Sequence, residues 1–141
     1  MTVRKRGSAA ALGEFLSARL RRPFDWKTWN CCTHLAEWVD ESEGRNPMAG
    51  LPVVKNERQA ARLVARVGGD MVGVWTALLR RDPLQSPALA AVGDPVVMRV
   101  GEHLVAGVCV GVRAACVAVG GGLTEVPMSE AVAAWRLEPL R

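Results

Sequence analysis

Pro23-Phe24-Asp25-Trp26-Lys27-Thr28-Trp29-Asn30-Cys31-Cys32-Thr33-His34 runs from a proline past two tryptophans to a pair of cysteines where a helix is expected to start. Asn30 suits the N-cap, because its side-chain oxygen can accept from a free amide of the first turn. Beyond it Leu35, Trp38 and Val39 recur at i, i+3 and i+4, the spacing of a buried helical stripe. Cys31 then falls in the first turn, beside the positive end of the helix dipole, where a thiolate is favoured over a thiol. A nucleophilic cysteine needs that address, and a core cysteine can also hold it. The distinction rests on whether the chain supplies a base.

On the N-terminal side, residues 1–7 read as a flexible basic arm containing Arg4-Lys5-Arg6. Ser8 caps a first helix with a stripe of Leu12, Phe15, Leu16 and Leu20, ending at Arg21-Arg22-Pro23. On the C-terminal side, the Asn30 helix runs to about Glu43 and stops at Gly44, with Pro47 beyond. After a loop over residues 45–55, Asn56 caps a third helix whose apolar face is Ala60, Ala61, Leu63, Val64 and Val67. Gly68-Gly69 ends it, and Asp70 caps a short fourth helix through Val74, Trp75, Leu78 and Leu79.

The composition then shifts to β-branched residues. Strands are expected over 96–100, 104–112, 116–119 and 123–126. Turns fall at Gly101-Glu102, near Arg113-Ala114 and at Gly120-Gly121-Gly122. These strands are apolar enough to be buried on both faces. Ser129-Glu130 is expected to open a final short helix toward Trp135. The fold class is therefore α+β: a helical N-terminal half packed on a C-terminal antiparallel β-sheet, one domain over residues 8–141.

The chain of 141 residues is long enough for one core without disulfide staples. Its net charge of +4 is concentrated near Arg4-Lys5-Arg6 and Arg19, Arg21 and Arg22. Such a cluster can touch nucleic acid, but no recognition motif accompanies it, so it reads as a solvated end. There is no run of eighteen apolar residues for a membrane span and no signal-peptide pattern. A reducing cytoplasm and free thiols are expected, with Cys109 and Cys116 as small core hydrophobes. The Cys and His spacings match no zinc pattern, and no metal or cofactor is expected. Trp26, Trp29 and Asn30 are expected to line the cleft near Cys31. Cys32 and His34 should lie on different sides of their helix, one inward and one toward solvent.

The order of a cysteine-headed helix and an antiparallel sheet entered through Gly-Asp resembles papain-like cysteine peptidases of the NlpC cell-wall hydrolase type. The chain is more similar still to a family of small phage and prophage tail proteins of uncharacterised function. The matching residues are Pro23-Phe24, Trp26, Asn30-Cys31, Gly93-Asp94 with Val96-Val97, Gly107-Val108 with Gly111, and Ala134-Trp135-Arg136. They cover about residues 10 to 137. Two positions depart from the pattern: Lys27 replaces a glycine and Asn30 an aspartate.

The resemblance implies an NlpC-like fold and a tail-tip component in the virion, made in the host cytoplasm. Its partners would be hub, distal tail or fibre proteins. It also implies where a base would be. In the active hydrolases a histidine stands two residues before the glycine that matches Gly107, and here that position is Val105. His103 lies two residues earlier, on the same strand face but displaced by about 6.5 Å. His34, at i+3 from Cys31, is an alternative base. The leading expectation is thus a structural or assembly role on a degenerate catalytic fold. The alternative is an active cysteine peptidase or amidase acting on peptidoglycan through Cys31 and His103.

Overall fold

The computed structural model describes residues 5–140. Helix α1 spans Ala9–Ser17, α2 Cys31–Glu43, α3 Glu57–Val67 and α4 Met71–Leu79. Each starts at the side-chain cap that its sequence offers. Ser8 accepts from Ala11 N, Asn56 from Gln59 N and Asp70 from Gly73 N. The cap of α2 is the most complete: Asn30 Oδ1 accepts from Cys32 N at 3.0 Å and Thr33 N at 3.1 Å, and Thr33 Oγ1 accepts from Asn30 N at 2.8 Å. This reciprocal box satisfies otherwise orphaned amides. At the far end Gly44 takes the left-handed conformation, φ 75°, that ends a helix without a Cβ clash.

Strands β1 (Pro95–Val100), β2 (His103–Cys109), β3 (Arg113–Val117), β4 (Leu123–Pro127) and β5 (Ala131–Ala134) form one antiparallel sheet in the order β4-β3-β2-β1-β5. The β1–β2 hairpin closes over Gly101-Glu102, with Val100 opposite His103. Gly101 has φ 61°, as the first position of a type II′ turn requires. The next turn falls at Val110–Val112, just ahead of Arg113-Ala114.

Two expectations fail locally. The segment after Glu130 is not a helix. A 3₁₀ turn at Met128–Glu130 leads into β5, which pairs with the free edge of β1. The alanines of 131–134 favour helix intrinsically, but ladder bonds and burial of Ala133, Ala134 and Trp135 override that weak preference. Nor does Leu20 belong to the α1 stripe. The helix ends at Ser17, and tighter bonds from Arg19 N to Leu16 O and Leu20 N to Ser17 O turn the chain. The Leu20 side chain is 58% exposed, and its carbonyl accepts from Leu123 N at the start of β4. Of the expected basic arm, residues 1–4 lie outside the described residues.

The sheet is apolar on both faces. Val97, Ala106, Val108 and Ala133 meet α1, α2 and α4 in a core holding Leu35, Trp38, Val39, Trp75 and Trp135. The opposite face buries Val96, Met98, Cys109, Ala114, Cys116 and Ala134, covered by Leu84, Ala90 and Met128. Fully burying a large apolar side chain contributes about 1.5–3 kcal/mol, so the tryptophan-rich first core dominates stability. Trp38 also donates from Nε1 to Gly93 O at 2.9 Å, tying α2 to the entrance of the sheet.

Two of the basic residues before Pro23 are internally committed. Arg19 and Arg22 both donate to Glu37 of α2, at 2.8–3.2 Å. Arg19 also sits 3.6 Å over the Phe15 ring. No helix among the described residues is long and apolar enough to cross a membrane.

Candidate functional site

The approach to Cys31 is built by a short turn. Asp25 Oδ1 accepts from Lys27 N at 2.7 Å, and the Asp25 and Trp29 backbones bond to each other. Phe24 and Trp26 pack edge to face at 5.0 Å. Asn30 Nδ2 then donates to Trp26 O at 2.8 Å while Oδ1 caps the helix, so one side chain fixes both the turn and the first residues of α2.

Cys31 opens onto a cavity of about 1000 Å³. Trp26 and Asn30 form the wall beside it, Leu63 and Val64 of α3 another, and Val105 and Val117 of the sheet a third. Helix α3 is amphipathic yet has no fully buried residue, because its apolar face covers this cavity rather than solid core.

The Cys31 thiol is lowered to about 7. A hydrogen bond from the Cys32 thiol is the main cause, and burial opposes it. The amides of Ala106, Cys32 and Cys31 itself add to the lowering. Cys32 is raised in turn, chiefly by donating to Cys31, then by burial and by the Cys31 charge. A thiolate at Cys31 is therefore held by a neighbouring thiol and by backbone amides at a helix N-terminus.

The expected bases are placed otherwise. His103 lines the same cavity but is exposed, at the first position of β2. The β2 group against Cys31 is the amide of Ala106, three residues along, about 10 Å of strand. His103 pairs with Val100 through its backbone, and among the described residues its side chain makes no hydrogen bond, ion pair or ring contact. Val105, the position the hydrolase pattern gives to histidine, does line the cavity with Cys31.

His34 does not point to solvent. It is fully buried between Phe15, 5.6 Å away, and Trp29, 5.7 Å away. Neither ring nitrogen has a hydrogen-bond partner. Burial, opposed by the Ala115 backbone and aided by the weaker effect of the Arg19 and Arg22 charges, lowers its pKa to about 4. A base that weak, outside the cavity, does not serve Cys31. Cys32 does turn inward, its sulfur 3.9 Å from Met71 Sδ. Both side chains are therefore drawn into the core, because α2 is wrapped by α1 on one side and α4 on the other.

Trp29 is likewise corrected as a cleft residue. It is fully buried outside the cavity, with its ring against His34 and the Arg22 guanidinium 5.3 Å away. Trp26 and Asn30 do line the cavity.

A model of one protein family, described as a domain of unknown function (DUF6950), matches residues 3–137. The chain belongs to that family. The match takes in all four helices and all five strands, so the family domain is the whole α+β unit with its cavity. No curated protein matches the chain.

One site residue was missed. Cys116 is buried, but it also lines the cavity; burial pushes its pKa up to about 12, and a charge on Cys31 adds to that. The available signal was Gly107: a glycine inside a strand marks a close approach. Gly107 pairs with Cys116, and a Cβ on Gly107 would lie 2.7 Å from the Cys116 sulfur. Among the described residues no three His, Cys, Asp or Glu side chains converge as a metal site would need.

Proposed function

We propose that the protein is a component of a phage or phage-like tail, placed at the tail tip, on an NlpC-like, papain-related fold that has lost catalysis. The observation that carries the loss is Val105. The strand position that faces the cysteine's cavity, and that holds the base in the similar hydrolases, has no proton acceptor. His103 and His34 do not replace it, one at the exposed hairpin end and the other buried outside the cavity. The tail assignment rests on the ordered motifs shared with small phage and prophage tail proteins. Several of these are structural here: Trp38 bonds Gly93, and Asp94 bonds Arg136. The protein would be made in the host cytoplasm and assembled with hub, distal tail or fibre proteins. Peptide mass spectrometry of purified tail particles tests this. The protein should be present at a fixed copy number, and its absence from the particles would end the assignment.

A second reading, a cysteine peptidase or amidase acting on peptidoglycan, is favoured by one observation: the lowered Cys31 thiol on the wall of a large cavity. Cys31 would attack an amide carbonyl, His103 would be the base, and first-turn amides would hold the oxyanion. Wild type and Cys31→Ala compared on purified peptidoglycan separate the readings. Fragment release that depends on Cys31 would establish the enzyme. Equal release, or none, supports the structural role.

A further inference from the structure

We infer that the cavity under α3 is a lipid-binding site, which takes one long aliphatic chain and leaves the polar head of that molecule at the mouth. The site stands apart from the tail and hydrolase readings, since it needs neither a partner protein nor a working nucleophile.

At this end of the sheet the chain folds around a hollow. The space of about 1000 Å³ lies between α3, α4, the loop before α3 and parts of β2 and β3, at the upper end of the range of small-molecule sites, about 300–1000 Å³. Strand register makes the room. β2 pairs with β1 along its whole length but with β3 only at Gly107–Cys109, so His103 to Ala106 have no β3 partner. The walls are aliphatic, with Val54 from the loop, Leu63 from α3, Val74 and Leu78 from α4, and Leu104 and Val117 from the strands. Apolar lining continues outward. Val53, Val100 and Val119 also line the cavity and are 65%, 43% and 87% exposed. An apolar surface that runs from a cavity to its mouth marks a binding site for an apolar ligand.

The polar groups decide which apolar ligand. Asn30 and Thr33 are the lining residues with a polar oxygen that are not exposed. Asn30 Oδ1 accepts from Cys32 N and Thr33 N, and Thr33 Oγ1 accepts from Asn30 N and donates to Asn30 O. Both are spent within the cap of α2. The inner wall is left with thiols but no free carboxylate, amide oxygen or hydroxyl. Lys27, Glu57 and Glu102 line the cavity only as exposed side chains, and among the described residues none of them has an ion-pair partner. Charges of both signs therefore stand where a head group would emerge, so neither an anionic nor a zwitterionic head is shut out.

An extended apolar peptide is the rival occupant, because the stretch of β2 without a β3 partner could pair with it. Only alternate residues of an antiparallel strand face a given neighbour, so four residues offer partners to about two of the peptide. The rest of a buried peptide would carry amides against side chains that cannot bond them, which is costly. A hydrocarbon chain brings no such groups, and the aliphatic wall suits it.

Isothermal titration of the full-length protein with octanoate, dodecanoate and dodecylphosphocholine, each below the concentration at which it forms micelles, tests the site. Binding should saturate at one chain per protein. Each added CH₂ taken into the cavity should tighten it about threefold to fourfold, so dodecanoate should bind about a hundredfold more tightly than octanoate. Dodecylphosphocholine should match dodecanoate within about threefold, because the head stays outside. Val64→Trp, which fills the cavity from α3, should weaken dodecanoate at least tenfold, and Val112→Trp, on an exposed turn outside the cavity, should leave it unchanged. Should Val64→Trp fail to fold, the chain-length series on wild type still decides. Equal affinity for octanoate and dodecanoate, or full dodecanoate affinity in folded Val64→Trp, would overturn the proposal. So would tighter binding of a capped peptide of valine and leucine than of dodecanoate, which would assign the cavity to a peptide.

Discussion

The Asp94 carboxylate and the Arg136 guanidinium meet at 2.8 Å, joining the Gly-Asp entrance of the sheet to the chain just after its last strand. Asp94 is almost fully buried, and Arg136 about half exposed. The carboxylate also accepts from Ala91 N and Leu137 N, so it closes the connector before β1 and the segment after β5 at once. Asp94→Ala orphans two amides and the arginine, and should cost about 3 kcal/mol. Arg136→Ala leaves the carboxylate with both amides and should cost about 1 kcal/mol. Urea unfolding of the two variants checks the order. Equal costs would mean that the ion pair, rather than the amides, is what stabilises this corner.

The cover of the cavity hangs on a backbone contact. A Cβ on Gly73 would lie 1.9 Å from Gly68 O, so the end of α3 and the start of α4 approach as only glycines allow. Gly73→Ala should destabilise the protein by about 1–3 kcal/mol through overpacking. Because α3 covers Cys31, the substitution should also speed alkylation of that thiol by a bulky maleimide. Unchanged reactivity would show that α3 is held in place by other contacts.

His34 makes stability depend on acid. Burial lowers its pKa from 6.5 to about 4, so the unfolded chain binds the proton first as pH falls. Stability from this residue is complete above about pH 6.5, and falls by about 3 kcal/mol as pH drops to about 4. His34→Phe keeps a ring between Phe15 and Trp29 and removes the titration. Urea midpoints across this range should decline in wild type and much less in the variant.

Local chemistry made most of the fold legible. Ser8, Asn30, Asn56 and Asp70 are caps with an oxygen at the right distance from free amides, and Gly44 and Gly101 permit their turns alone. β5 was not legible, because 131–134 is an alanine run whose conformation is set by an open strand edge far away in sequence. The site divided in the same way. Cys31 could be read from its helix start, and Trp26 and Asn30 from their nearness to it. The burial of His34 and Trp29 depends on Phe15, Arg19 and Arg22 folding over α2, and the place of Cys116 on the cavity wall depends on strand register. Neither leaves a periodic trace in the sequence.

The pH dependence of Cys31 alkylation by iodoacetamide, read by peptide mapping, bears most directly on how the thiolate is held without an imidazole. Wild type should show a midpoint near 7, unchanged in His103→Ala and moved upward in Cys32→Ala, which removes the donor thiol. A midpoint that rises in His103→Ala and holds in Cys32→Ala would support a Cys31–His103 dyad and contradict the proposed loss of catalysis.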